Sequence, residues 1–208
     1  MPLRAKHGRP IEVKRSRTPE LRSGLKPRWR SFPAAGLLGP PGTVLPLRPA
    51  RQLQEMWCWA ACARMVVRFL GGSLEQCSIV SRFLGQVCCP SAESPQCDVG
   101  CTVEDVDEAF GHAGLMAVRI PRPAEFEEVF AQISGEAQSP LVAAVRWEGG
   151  GGHLVVVHGC REIDNIRYLC VSDPIYGVGD IRYSDLRTRY GRNDTGQWLH
   201  TWLGFSRA

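Results

Sequence analysis

The segment QLQEMWCWAAC, residues 52–62, marks the point where this 208-residue chain changes from irregular to strongly patterned sequence. Over residues 59–70 the apolar side chains recur at intervals of three and four, which is the pattern of a helix buried on one face. A pair of glycines at 71–72 follows, as is typical just beyond a helix end. We therefore predict a buried amphipathic helix that begins near Cys58.

Cys58 stands where the helix dipole favours a thiolate, the nucleophilic form of cysteine. Gln52 precedes it by six residues, so its side-chain amide can turn back and donate a hydrogen bond to an oxyanion. Gln54 is an alternative donor. A free cysteine at such a position can also be a small buried core residue, so position alone does not assign Cys58 a chemical role.

A general base is predicted on a later strand. The sequence GGGGHLVVV, residues 149–157, places His153 at the start of an apolar strand, and the following strand ends in Ser-Asp-Pro at Asp173. In an antiparallel hairpin the two share a face only if paired residue numbers have an even sum, which an odd-length loop provides. We predict a three-residue loop at 163–165, which makes His153 and Asp173 diagonal neighbours.

Three further residues compete for these roles. His158 lies on the same strand with the opposite parity, and a histidine inside an apolar strand is more often hydrogen-bonded packing. Asp164 and Asp180 could also orient the imidazole, but the first lies in the predicted turn and the second beyond two glycines.

Three blocks occur in order along the chain: Gln-x5-Cys-Trp-Ala-Ala, Gly-His-Leu-Val-Val-Val and Ser-Asp-Pro. Together they resemble the papain-like cysteine peptidases of clan CA. The start at residues 57–62 is similar to the bacterial branch that contains avirulence effectors and staphopain-like enzymes. The resemblance covers about residues 51–205 and implies an α+β fold. In that fold a helical left lobe carries the nucleophile helix, and an antiparallel β right lobe carries the His and Asp.

Carried over to this chain, the resemblance implies a role for each candidate. Cys58 is the nucleophile, His153 is the general base and then the acid, and Asp173 orients the imidazole. Gln52 donates to the oxyanion together with the backbone N–H of Cys58. Papain has Asn where Asp173 stands here, and a carboxylate suits the same orienting role.

The implied function is thiol hydrolysis of peptide bonds through a Cys acyl-enzyme, with no metal and no cofactor. Alternatives are acyl transfer or deamidation by the same triad, or a non-catalytic Cys-rich binding module. We expect a protein or peptide substrate in the cleft between the lobes, a monomeric protein, and no membrane or nucleic-acid partner. No run of apolar residues reaches the ~18 that a membrane span requires.

The chain is predicted to divide into a basic, Pro-rich disordered arm at 1–50 and a peptidase domain at 51–208. Residues 1–51 hold twelve Lys and Arg against two Glu, although the whole chain has a net charge of only +4. Such a segment cannot bury enough apolar surface to offset its ordering entropy. We therefore expect that removal of residues 1–45 leaves both folding and peptidase activity intact.

The domain pattern places helices before strands, which favours an α+β class over repeated βαβ units. Further helices are predicted at 74–83, at 102–112 with Thr102 as the N-cap, and at 125–133. Strands are predicted at 141–147, 154–160, 166–173 and 198–205.

Nine cysteines, an odd number, leave at least one thiol unpaired. Five of them crowd residues 77–101, where disulfides, a zinc site and free thiols are all open interpretations. Disulfides favour secretion or effector-type export, although no signal peptide is evident. Cys160 and Cys170 are expected on the same face of the hairpin but not opposite each other, and both free.

Overall fold

The computed structural model describes residues 42–89, 95–191 and 194–208. Within these ranges the elements are, in chain order, β1 (Gly42–Val44), α1 (Cys58–Phe69), α2 (Gln76–Leu84), α3 (Val103–His112), β2 (Leu115–Ile120), α4 (Phe126–Ser134), β3 (Leu141–Arg146), β4 (Gly152–Ile163), β5 (Ile166–Asp173), β6 (Gly177–Arg182), α5 (Tyr183–Thr188) and β7 (Gln197–Arg207).

The strands form one antiparallel sheet in the order β2-β7-β3-β4-β5-β6, and β1 pairs with β4 beyond the end of β3. One apolar cluster packs α1, α2 and α3 against one face of the sheet. A second cluster packs α4 and α5 against the other face. A helical portion therefore precedes a β-rich portion, and the predicted α+β class is confirmed.

The local helix signals predicted these elements closely. α1 begins at Cys58, and Thr102 caps α3 by accepting a hydrogen bond from the backbone N–H of Asp105 at 3.3 Å. The observed α2 and α4 lie within two residues of their predicted bounds. Four elements were not predicted: β1, β2, β6 and α5. All four are short, and β2 and β6 form the two edges of the sheet, where side chains such as Met116 and Val118 remain exposed.

The β4–β5 hairpin reaches the predicted arrangement by a different register. Ile163 pairs with Ile166, so the turn has two residues, both with positive φ, and the three-residue loop is wrong. An even-length loop alone would place His153 and Asp173 on opposite faces. A β-bulge at His158, between Val157 and Gly159, shifts the pairing by one residue and returns both to the same face.

The folded part of the chain begins earlier than residue 51. β1 pairs with residues 159–161 of β4, and the backbone N–H of Leu45 donates to the carbonyl of His158 at 2.8 Å. The side chains of Leu45 and Leu47 are buried in the apolar clusters. These residues lie before the predicted boundary at 50/51, and a three-residue strand followed by irregular chain carries no periodic signal in the sequence. The prediction for residues 1–41 lies outside the described residues.

Two disulfides cross-link the segment between α2 and α3: Cys77–Cys89 ties it to α2, and Cys88–Cys97 closes a loop within it. Of the three open interpretations, disulfides therefore hold for these four cysteines. Cys101 is free, and so are Cys160 and Cys170 as predicted. The last two do not share a face, since Cys170 pairs with Gly159 and not with an even-sum partner. In the part of the chain that the structure describes, the helices are too short or too polar to cross a bilayer.

Candidate active site

The half-buried Cys58 is the first residue of α1 and is fixed by the tryptophans on either side of it. The indole N–H of Trp57 donates to the carbonyl of Cys97 at 2.7 Å, and that of Trp59 donates to Val99 at 3.1 Å. The cross-linked segment thus holds the start of the helix. No side chain caps the first turn, so its backbone N–H groups have no side-chain acceptor beside Cys58.

His153 lies at the start of β4, and its Nε2 is 3.0 Å from Oδ1 of Asp173 at the end of β5. Because the strands are antiparallel, these positions meet at the same end of the sheet. Gly150 and Gly151 form the turn before β4, and both have a positive φ. This backbone conformation favours glycine, which explains the residue type at these two positions. The side chains of His153 and Asp173 are both almost completely buried.

Helix α1 packs against strand β4 next to these residues. The thiol of Cys62, one turn after Cys58, contacts the carbonyl of Leu154 at 3.3 Å. Cys58 contributes to the raised pKa of His153, so the thiol and the imidazole are close neighbours. Since Nε2 of the imidazole is directed at Asp173, Nδ1 is the ring nitrogen left for the sulfur.

The electrostatics of the pair favour an imidazolium beside a carboxylate. Burial disfavours the charged imidazole, but the charge and hydrogen bond of Asp173, with a further contribution from Cys58, raise the pKa of His153 to about 10. Burial likewise opposes ionisation of Asp173, yet the charge of His153 and the hydrogen bonds to the carboxylate hold its pKa below the usual range. The site therefore holds a proton on His153 at neutral pH.

Two aromatic residues complete this arrangement, and no sequence pattern identified them. Trp147 stacks on the imidazole of His153 with ring centroids 6.1 Å apart and on Tyr190 with centroids 6.4 Å apart. The hydroxyl of Tyr190 donates to Oδ2 of Asp173 at 2.6 Å. Trp147 immediately precedes the glycine run, which is a weak local signal. Nothing in the sequence around Tyr190 connects it with Asp173.

Gln52 is near α1 but already has hydrogen-bond partners. Its Nε2 donates to the carbonyls of Gln54 at 2.9 Å and Glu55 at 2.5 Å, which accounts for both amide protons. Its Oε1 is buried. Gln52 and the alternative donor Gln54 both line a cavity of about 300 Å³, together with Pro174 and Ile175. The amide protons of Gln52 are thus directed at the turn before Cys58 and not at its sulfur.

His158, Asp164 and Asp180 occupy different surroundings. Nδ1 of His158 lies 3.3 Å from the carbonyl of Leu45, its Nε2 lies 3.5 Å from the thiol of Cys170, and burial lowers its pKa. Asp164 lies in the β4–β5 turn, and Asp180 lies 3.5 Å from the guanidinium of Arg161.

Residues 44–181 match the protein family described as papain-like cysteine protease AvrRpt2. The chain belongs to this family. The matched range includes Cys58, His153 and Asp173, and the protein is accordingly a papain-like cysteine peptidase with thiol protease activity, as predicted. No curated protein matches the chain.

Solved structures share the fold of this AvrRpt2-family protease at low sequence identity. A double-glycine-motif protease from an AMS/PCAT transporter, in complex with a leader peptide, has 16% identity and a TM-score of 0.50, covering 80% of this chain and 95% of its own. The peptidase domain of Streptococcus ComA, a bifunctional ABC transporter involved in quorum sensing, has 13% identity and a TM-score of 0.51, covering 78% and 99%.

A chain from a structural study of the mite allergens Blo t 1 and Der p 1 has 14% identity and a TM-score of 0.50, covering 87% of this chain and 74% of its own. At these identities the neighbours show the fold alone.

Proposed function

We propose that this AvrRpt2-family protease cleaves peptide bonds with Cys58 as nucleophile, His153 as general base and acid, and Asp173 as the residue that orients His153. The observation that carries this proposal is the buried His153–Asp173 pair, in which Nε2 and Oδ1 are 3.0 Å apart, next to the thiol at the start of α1. A fully buried charged pair lowers stability unless each charged group has a hydrogen-bonding or ionic partner. Here the imidazole and the carboxylate are each other's partner, and both also take part in the proposed reaction.

The reaction follows the acyl-enzyme route. With the proton already on His153, the thiolate of Cys58 attacks the carbonyl carbon of the scissile bond to form a tetrahedral intermediate. His153 then gives its proton to the leaving amine, the C–N bond breaks, and an S-acyl enzyme remains. A water molecule loses a proton to His153 and attacks the thioester, which releases the carboxylic acid product and returns the proton to the site.

Asp173 keeps the imidazole in the orientation that this sequence of steps requires. Its Oδ1 accepts from His153 Nε2 and also from the backbone N–H groups of Ile175 at 2.6 Å and Tyr176 at 2.9 Å. Those two bonds fix the carboxylate to the turn after β5. His153 therefore presents Nδ1 to the thiol in both halves of the reaction.

For the oxyanion we propose the backbone N–H of Cys58 and the side-chain amide of Gln52 as donors. The uncapped start of α1 supports the first of these. Gln52 must exchange one of its bonds to Gln54 or Glu55 for the oxyanion, and both partners lie in the turn that leads directly into Cys58.

We propose that the substrate is an extended protein or peptide segment that lies between the α1 region and the β4–β5 hairpin. A fold neighbour was solved with a leader peptide, which supports this substrate class. We further propose that the peptidase domain acts as a monomer and starts near Gly42, because all the proposed catalytic groups come from one chain and β1 belongs to its sheet.

The chain offers a matched control for testing these roles. Cys170 and His158 form a second Cys–His contact in the same hairpin, at 3.5 Å. Cleavage of an unfolded protein substrate should be abolished by Cys58→Ala and fall by about 10²- to 10⁴-fold in kcat with His153→Ala. Cys170→Ala and His158→Ala should leave kcat of the folded fraction nearly unchanged. Full activity of Cys58→Ala would overturn the proposal.

A further inference from the structure

The hydroxyl of Tyr190 makes a buried contact that the proposed mechanism does not use. It donates to Oδ2 of Asp173 at 2.6 Å, and neither residue has significant solvent exposure. Burial and the neighbouring carboxylate raise the pKa of Tyr190, so the phenol stays protonated and acts as the donor. Hydrogen bonds to a charged acceptor are short and about twice as strong as neutral ones.

The two oxygens of Asp173 have separate partners. Oδ1 accepts from His153 and from two backbone N–H groups in the following turn. Oδ2 accepts from Tyr190, a side chain seventeen residues further along the chain. The Tyr190 contact therefore fixes the rotation of the carboxylate about its side-chain axis, and that rotation determines how Oδ1 faces the imidazole.

Tyr190 is itself held firmly. Its backbone forms a two-bond β-bridge with Gly196, each bond 2.9 Å long. Trp147 stacks on its ring, and glycines pack closely against that indole: a Cβ would stand 2.6 Å from it at Gly191 and 2.7 Å from it at Gly196. Gly191 also has a φ of +76°, which favours glycine. Backbone and rings together leave the hydroxyl little freedom to move.

We propose that Tyr190 is a positioning residue for the peptidase reaction, which acts through Asp173 to set the orientation and acceptor strength that His153 experiences. This inference rests on the proposed Cys58–His153–Asp173 mechanism. The hydroxyl of Tyr190 contacts Asp173 and its ring contacts Trp147, so we expect it to act through Asp173 and not on the substrate directly. Its effect should therefore appear in kcat and in the pH profile, with KM nearly unchanged.

Tyr190→Phe removes only the hydroxyl, and Tyr183→Phe is a matched control. The hydroxyl of Tyr183 is also a buried donor, to the carbonyl of Ala124 at 2.9 Å, but it lies on α5 away from Asp173. Without its donor the carboxyl of Asp173 is protonated more easily, so the acid limb of kcat should move to higher pH. We expect Tyr190→Phe to lower kcat about tenfold or more, and Tyr183→Phe to leave both quantities in place.

The decisive experiment combines Tyr190→Phe with Asp173→Ala in a double-mutant cycle. The readouts are kcat, thermal unfolding to fix the folded fraction, and the rate of Cys58 alkylation by iodoacetamide between about pH 5 and 9. Alkylation needs no turnover, so it reports on every variant that folds. The account predicts that Tyr190→Phe changes the alkylation profile when Asp173 is present and adds no further change when Asp173 is replaced by Ala.

An equal effect of Tyr190→Phe in both backgrounds, or none in either, would overturn the inference. Failure of the proposed mechanism has a different signature. If His153→Ala and Asp173→Ala both left alkylation and kcat unchanged, the triad itself would be wrong, whatever Tyr190 contributes.

Discussion

At the scale of single residues, the charge of Asp173 determines the protonation state of the site. Burial alone would lower the pKa of His153, but the adjacent carboxylate with its hydrogen bond, and to a lesser extent Cys58, reverse this and raise the pKa to about 10. The imidazolium is thus retained through the neutral range and is lost only as the pH rises toward that value.

The substitutions Asp173→Asn and Asp173→Ala distinguish the effect of the carboxylate charge from the effect of its hydrogen bond to His153. Asn keeps an oxygen acceptor, as papain's own Asn does, so it should retain much of kcat, whereas Ala should lose considerably more. Both changes remove the carboxylate that keeps His153 protonated. Alkylation of Cys58 near pH 6 should therefore fall in both variants relative to wild type, measured as a rate against pH. Equal kcat in the two variants would show that orientation by an acceptor is unimportant.

Gln52 and Gln54 differ in their hydrogen bonds, and substitution can distinguish them. Loss of an oxyanion donor lowers kcat by roughly 10²- to 10³-fold, so Gln52→Ala should fall in that range with little change in KM. Gln54→Ala should keep kcat, because only its backbone carbonyl takes part in the turn before Cys58. Steady-state kinetics on both variants measures this. The reverse result would move the oxyanion role to Gln54.

At the scale of elements, β1 makes the N-terminal limit of the domain testable. Removal of residues 1–41 should keep both the melting temperature and kcat. Removal of residues 1–45, which also deletes β1 and the buried Leu45, should lower the free energy of unfolding by about 2 to 5 kcal/mol. Thermal or urea unfolding of the two truncated proteins provides the comparison, and identical stabilities would show that β1 is dispensable.

In the cross-linked segment before α3, the Cys88–Cys97 disulfide is connected to the position of Cys58 through a hydrogen bond of Trp57. Each disulfide closes a short loop and should contribute roughly 2 to 3 kcal/mol, so Cys77→Ser/Cys89→Ser and Cys88→Ser/Cys97→Ser should be destabilised to a similar degree. The backbone carbonyl of Cys97, in the second of these disulfides, accepts the indole N–H of Trp57, the residue before Cys58. We therefore expect the second double variant alone to lower kcat of the folded fraction, measured together with its unfolding curve. Equal kcat in the two would contradict this link.

The β4–β5 hairpin shows which features of the strand pairing the sequence predicts and which it does not. The shared face of His153 and Asp173 was predicted from numbering, and the structure has it. The route differs, since a two-residue turn with the wrong parity is corrected by a bulge at His158. Turn residues with positive φ leave a sequence signal in Asp164-Asn165, but a bulge depends on tertiary contacts such as the approach of β1 to Gly159.

At the scale of the whole molecule, the candidate site brings together distant parts of one chain. Helix signals near Cys58 and strand signals near His153 are local, and they were enough to predict the fold class and the candidate residues. Trp147 and Tyr190 contact His153 and Asp173 through packing across the sheet, and the amide protons of Gln52 are directed by the fold of a turn. Such contacts depend on the assembled structure, so no short sequence window predicts them.

The central claim is that Cys58 is the activated nucleophile among the five free thiols of the described residues. Burial raises the pKa of each of the remaining four, which are Cys62, Cys101, Cys160 and Cys170. The most direct test treats the protein near pH 6 with an irreversible thiol-directed peptidase inhibitor and then measures the intact mass and maps the labelled peptide.

The account predicts a single label on Cys58, lost in His153→Ala and kept in Cys170→Ala. Labelling spread over several cysteines, or labelling of Cys58 that does not depend on His153, would contradict it.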